Sequence, residues 1–319
     1  MAPVVAPGTA QVTEADSGSW VDWVLAPRPG FLVVVVGPVA LGTVLGAAEA
    51  AAWQWGPAGL ALAAVLLIAA AANLLNDYAD HLNGCDAANT RPLTPWAGGS
   101  RFIQAGRFRP AQVAATGWGL LAAGVSAGLL LSFWWDLELL RYGAVGAACA
   151  VAYSLPPWRL QSRGWGEPVI ALCYGVLPVV GAYRIQTGTA WELGPWVLGL
   201  AIAPLSGAVL LVNGFPDRWA DARVGKRTWA VRWGAGRAEA ALRLAVLTPF
   251  AGTSLAVWLG WLAAPALVVW ACAPFAACAL WRSATATDYQ SGWLGTIRAV
   301  IATQVVVCAA LTLAIAVAG

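Results

Sequence analysis

Residues 73–86 read NLLNDYADHLNGCD and follow directly on the apolar run GLALAAVLLIAAAA of residues 59–72. A membrane-spanning helix needs about 20 largely apolar residues, and the two stretches together supply one whose polar part begins before the helix ends. On that helix Asn73, Asn76, Asp77 and Asp80 are three and four residues apart and share one face. Carboxylates beside lipid are costly and need a partner. The stretch therefore fixes a membrane helix and leaves a chemical question at its end.

The composition extends this reading to the whole chain. Hydrophobic residues make up 60% of the 319 positions and charged residues 10%, with a mean hydropathy of +0.69. Soluble domains are about 45–50% apolar and about 25% charged. An all-α polytopic membrane protein embedded in the lipid bilayer is expected. Nine stretches are long and apolar enough to span: 30–50, 57–76, 111–133, 139–155, 168–186, 194–213, 238–258, 260–281 and 296–318. Glycine and proline inside several of them are compatible with membrane helices, whose neighbours satisfy the freed backbone groups. Residues 1–24 are expected to form a disordered tail and 25–319 a single nine-helix domain.

The first 20 residues lack a basic segment followed by an apolar one, so no cleaved signal is expected. A net charge of +3 without a basic, aromatic-interleaved stripe excludes nucleic acid as a partner. The six cysteines form no CxxC pair, and all but Cys85 lie in apolar runs as small hydrophobes.

Positive charge is distributed unevenly. The segments after spans two, four, six and eight carry most of the arginines and Lys226, whereas the opposite loops carry only Arg141 and Arg184 beside Asp136, Glu138 and Glu192. The positive-inside rule then puts the N-terminus and the long loops 77–110, 153–167 and 213–237 in the cytoplasm and the C-terminus outside. The expected location is the inner membrane of a bacterium. Most of the 20 tryptophans fall near span ends, as Trp53 and Trp55 or Trp134 and Trp135 do, forming an interfacial belt. Trp118 and Trp270 lie deeper, where an inward-facing role stays open.

A second acidic array matches the first. In NGFPDRWADARVGKRT (213–228), Asn213, Asp217 and Asp221 recur every four residues at the cytoplasmic end of span six. Two facing clusters of hard oxygen donors suit Mg²⁺, which binds through one or two carboxylates plus substrate phosphates. A Mg²⁺-bridged diphosphate would satisfy these charges, with Lys226, Arg227, Arg159 and Arg163 completing the site. Two other readings compete. The acids could pair with local arginines as a solvated loop, or mark the path of an ion-coupled lipid or ion transporter. A transporter predicts acids near the midplane, and these lie at one face.

These residues resemble the UbiA superfamily of intramembrane prenyltransferases. NLLNDYADHLNGCD is similar to the first aspartate motif in its menaquinone-type, dihydroxynaphthoate-prenylating branch. PWAGGSRFIQAGRFRP (95–110), YSLPPWRLQSRGWGEPV (153–169) and NGFPDRWADARVGKRTWAVRWG (213–234) resemble the motifs that follow it. The resemblance implies nine helices around a central cavity, a cytoplasmic cap made by the long loops, and ionisation of an allylic polyprenyl diphosphate by two or more Mg²⁺ ions. It assigns Asn73, Asp77 and Asp80 to one metal site and Asn213, Asp217 and Asp221 to the other, the four aspartates being catalytic. Asn76, Tyr153, Arg159, Arg163, Lys226 and Arg227 fall at substrate-facing positions.

There are two departures. His81 stands where the commoner spacing places an acid, and Gln161 where related sequences often carry Lys. The implied reaction is prenyl transfer to an aromatic, quinone-precursor acceptor. The alternative is a terpene cyclase on the same scaffold, which the tryptophan content keeps open.

Overall fold

A computed structural model describes residues 18–189 and 192–318, and every regular element among them is helical. Ser19 caps the short α1 (Trp20–Leu25), accepting from the Asp22 amide while the Asp22 carboxylate accepts from the Ser19 amide. Residues 1–17 of the expected tail lie outside the described residues, and its last residues are helical.

The long elements follow in order: α2 (Pro29–Ala50), α3 (Trp55–Leu82), the single turn α4 (Cys85–Ala88), α5 (Pro110–Trp134) and α6 (Leu139–Ser154). Then come α7 (Gly166–Ala171), a π-helical turn (Leu172–Val176) and α8 (Leu177–Thr187), which together make one span. The chain ends with α9 (Leu193–Arg223), α10 (Trp229–Trp258), a 3₁₀ segment (Ala264–Cys272) running into α11 (Ala273–Thr285), and α12 (Leu294–Ala318).

Among the described residues, eight helices are long and apolar enough to cross a membrane. The stretch expected as the fourth span is α6, and it has only 16 residues. At about 1.5 Å per residue it rises about 24 Å, short of a hydrocarbon core of about 30 Å. Its end is dictated locally: Pro156 and Pro157 follow, and Leu155 before them is already extended at ψ 149°. The seventh stretch, expected from 238, begins earlier at Trp229 and bends at Gly234, whose φ of 70° interrupts the helix.

The helix α9 runs through the centre, with 72% of its most apolar window buried. It packs against α7, α10 and α12, and its Phe215 stacks on Tyr289 while the Trp293 indole donates to the Val212 carbonyl at 2.8 Å. The helix α2 lies against α8 through Gly42 and Gly46, where any Cβ would collide with the Val179 and Tyr183 backbone. Small residues four apart are the usual way two membrane helices approach closely. Trp118 and Trp270 are 46% and 54% exposed, so both face outward and take no inward role.

Candidate active site

A cavity of about 310 Å³ lies among α2, α3, α6, the α7–α8 span and α9. Its walls are mostly Ala, Val, Ile and Gly, and its acidic end is lined by Asp80, Asp86, Asp217 and Asp221. The two acidic arrays, 140 positions apart at Asp77 and Asp217, meet there because α3 and α9 both end at the same level.

One turn of the long loop joins them. The Gly98 amide donates to Asp217 Oδ2 at 2.8 Å, and the Ser100 amide donates to Asp77 Oδ2 at 3.2 Å. Both Gly98 (φ 80°) and Gly99 (φ 77°) are left-handed. A Cβ on Gly99 would sit 3.2 Å from Asp77 Oδ1 and 3.3 Å from Asp86 Oδ1. Only glycine fits this passage between two carboxylates without strain. Asn89 Nδ2 also donates to Asp217 Oδ1 at 2.8 Å.

Lys226 is the second bridge. Its Nζ lies 3.0 Å from both Asp80 oxygens and 3.3 Å from Asp221 Oδ1. Burial works against this ammonium, but Asp221 and Asp80 outweigh it and hold its pKa well above the ordinary lysine value. Cys85, on the turn after α3, places Sγ 3.1 Å from Asp221 Oδ1. Burial pushes this thiol up, so it stays neutral and donates.

The first array is held by a residue that sequence reasoning missed. Arg28, left-handed at φ 56° just before α2, sets Nη2 3.2 Å from Asp77 Oδ1 and donates to Asn76 Oδ1 at 3.2 Å and to the Asn73 carbonyl. Asn73 Nδ2 donates in turn to the Pro27 carbonyl at 2.7 Å. Asn76 Nδ2 reaches Asp80 Oδ2 and Ser154 Oγ, and Gln161 Nε2 donates to the same Ser154 hydroxyl. Gln161 is therefore a wall residue anchored to α6.

Asp86 and Glu167 were also missed as site residues. Asp86 accepts from Gln104 at 2.8 Å and lies 3.9 Å from Arg101. Burial, then the neighbouring Asp80 and Asp77, push its pKa up to about 7. Glu167 lines the cavity with Oε1 accepting from the Trp229 amide and Oε2 buried without a hydrogen-bond partner. The Gly84-x-Asp86 spacing was a signal for Asp86; nothing local distinguished Glu167 or Arg28.

Of the expected site residues, Asn73, Asn76, Asp80, Tyr153, Asn213, Asp217, Asp221 and Lys226 line the cavity, with Asp77 just behind it on Arg28. Arg159, Arg163 and Arg227 do not. All three are exposed and outside the lining; Arg163 donates to its own loop at the Pro157 carbonyl, and Arg159 is turned by a left-handed backbone. The cations that do reach the acids are Arg28, Arg101 and Lys226. His81 is exposed and also outside the lining.

The donors suit a hard cation. Every candidate is an oxygen, Asn213 Oδ1 is buried with no hydrogen-bond partner among the described residues, and the acids outnumber the nearby cations. Yet among the described residues no three acids converge into a closed cage. Two open half-sites flanking a gap fit an ion completed by a ligand's phosphate oxygens, the usual manner for Mg²⁺.

A bundle of membrane-length helices around an apolar cavity with a braced acidic mouth defines a polytopic membrane protein with an intramembrane site. Residues 35–294 match the UbiA prenyltransferase family, and the chain belongs to it. It is 32% identical over 227 residues to 1,4-dihydroxy-2-naphthoate octaprenyltransferase of Mycobacterium tuberculosis, covering 69% of this chain and 72% of that one. It is 25% identical to 2-carboxy-1,4-naphthoquinone phytyltransferase of Synechocystis, covering 81% and 77%. A UbiA homologue from Archaeoglobus fulgidus bound to DMAPP and Mg²⁺ has the same fold, with TM-score 0.59, 15% identity, and 91% and 99% of the two chains covered. The protein is an integral membrane prenyltransferase.

Proposed function

We propose that this enzyme transfers a prenyl group from an allylic polyprenyl diphosphate to a naphthoate-type aromatic acceptor, releasing diphosphate with the help of Mg²⁺. The observation that carries this reading is the joining of both acidic arrays, by the Gly98–Ser100 turn and by Lys226, at the mouth of an apolar cavity. The similarity to naphthoate prenyltransferases supports the acceptor class.

Asp77 and Asp80 with Asn73 on one side, and Asp217 and Asp221 with Asn213 on the other, would hold the ions. Bound Mg²⁺ supplies Lewis-acid neutralisation of a leaving diphosphate. The protein's own part is positioning and exclusion of water. Backbone amides fix Asp77 and Asp217, Lys226 and Arg28 balance the anionic mouth, and the apolar walls keep water from an allylic cation. Tyr153, Tyr174, Phe31 and Trp96 line the cavity, and an aromatic face turned to a cation attracts it by about 0.5–2 kcal/mol. With α6 counted as a ninth helix, the segments 83–109 and 155–165 and the short link 224–228 between α9 and α10 cap this mouth on the cytoplasmic side, and the C-terminus lies outside.

Terpene cyclisation is the second reading, and the tryptophan content that favoured it lies mostly elsewhere, Trp96 being the one tryptophan lining the cavity among the described residues. Purified protein given Mg²⁺ and allylic diphosphates should release diphosphate only when a dihydroxynaphthoate or similar acceptor is added. Stoichiometric release with a cyclic hydrocarbon product and no acceptor would replace transfer by cyclisation.

A further inference from the structure

The cavity runs away from the acidic mouth and stops at a floor. Ala61 of α3, Leu131 of α5, Leu139 and Tyr142 of α6, and Ile185 of α8 all line it and pack together at that end. The floor is braced from beneath: the Trp135 indole donates to the Ile185 carbonyl at 3.0 Å, and Arg184 pairs with Asp136, tying α8 to the α5–α6 turn. None of these polar contacts has a part in the chemistry at the mouth.

The depth can be measured along two walls independently. Asn76 at the mouth and Ala61 at the floor are 15 residues apart on α3, about 22 Å of helix. Ser154, which accepts from Asn76, and Leu139 are also 15 residues apart on α6. An extended prenyl unit adds four chain carbons, about 5 Å at ordinary bond lengths. The walls therefore enclose about four units.

Between mouth and floor, α6 offers two gaps. Gly146 and Gly143 line the cavity, and a Cβ on either would meet nothing within 4 Å. They lie 8 and 11 residues below Ser154, about 12 and 16 Å down, just past the second and third prenyl units. Resting on the prenyl-transfer reading above, we infer that this wall of α6 is a length gauge: the braced floor stops a tail of about four prenyl units, and Gly146 and Gly143 keep the passage to it open.

The test measures kcat/KM for diphosphates of two, three, four, five and eight prenyl units with the full-length protein, alongside a thermal-shift series with the same compounds. The wild type should improve up to four units and gain nothing beyond. Gly146→Leu should move the preference to two units and Gly143→Leu to three. Each should lose roughly tenfold or more on longer tails, since every displaced unit forfeits burial of five carbons. Tyr142→Ala, which opens the floor, should extend the plateau to longer tails.

The thermal shifts should follow the same order and do not depend on turnover. A wild type that keeps improving to eight units, or glycine variants with unchanged length profiles in both measurements, overturns the gauge. Length-dependent shifts without turnover under any acceptor would instead overturn prenyl transfer and leave the gauge standing.

Discussion

Lys226 neutralises part of both acidic arrays, which makes its removal informative. Lys226→Met leaves Asp80 and Asp221 buried without their cation, a change that costs about 3–5 kcal/mol in comparable sites. The variant should melt well below wild type without metal, and Mg²⁺ should restore more stability to it than to wild type. Equal metal responses would mean that the acids are not the ion's ligands. Gly99→Ala tests the turn between Asp77 and Asp86. A left-handed alanine costs about 1–2 kcal/mol, small against the fold, but its methyl must push a carboxylate aside. Turnover should fall about tenfold with a near-normal melting curve; wild-type turnover would show that this turn does not position the acids. Asp217→Asn should lower diphosphate release by roughly a hundredfold or more, measured by phosphate-coupled assay. Asp77 and Asp80 were legible in the sequence because they share a helix face. Arg28 was not, because it precedes a different helix and reaches Asp77 only across 49 positions of chain.

At the scale of elements, the close crossing of α2 and α8 decides where the cavity wall stands. Gly42→Leu puts a branched side chain where a Cβ already collides with the Val179 backbone. Overpacking of this kind costs about 1–3 kcal/mol or more, and the melting temperature should drop, whereas Gly59→Leu, with open space at its Cβ, should have little effect. The element order was readable because spans announce themselves by apolar length. The bounds of α6 were legible almost to the residue, 139–155 against Leu139–Ser154, and what the apolar run did not announce is that 16 residues fall short of a span. Helix starts also move when a polar, tryptophan-rich segment such as 229–237 continues the helix outside the apolar run.

For the whole molecule, the charge asymmetry predicts a definite topology. Single cysteines placed at exposed Arg159 and exposed Leu137 in a cysteine-free background should label from opposite sides, Arg159 from the cytoplasm. Labelling of both from one side would refute the proposed orientation. The outward tryptophans fit the same picture, with Trp20, Trp134 and Trp258 all 78–80% exposed.

The sequence by itself determined that this is a helical membrane protein with two matched acidic arrays at one depth, because hydropathy and helical spacing are local properties. It also carried the family resemblance, since the motifs are contiguous. Lys226 was among the expected cations, but the tertiary structure alone decided which arginines serve those acids. Arg159, Arg163 and Arg227 are near them in the expected loops yet stand exposed outside the cavity lining, while Arg28 arrives from before a different helix and Arg101 from the far end of the first loop. It decided as well that Trp118 and Trp270 face outward while Trp96 lines the cavity, and how deep the cavity runs. Each of these depends on which helix faces which, a relation between remote residues that no single stretch of chain records.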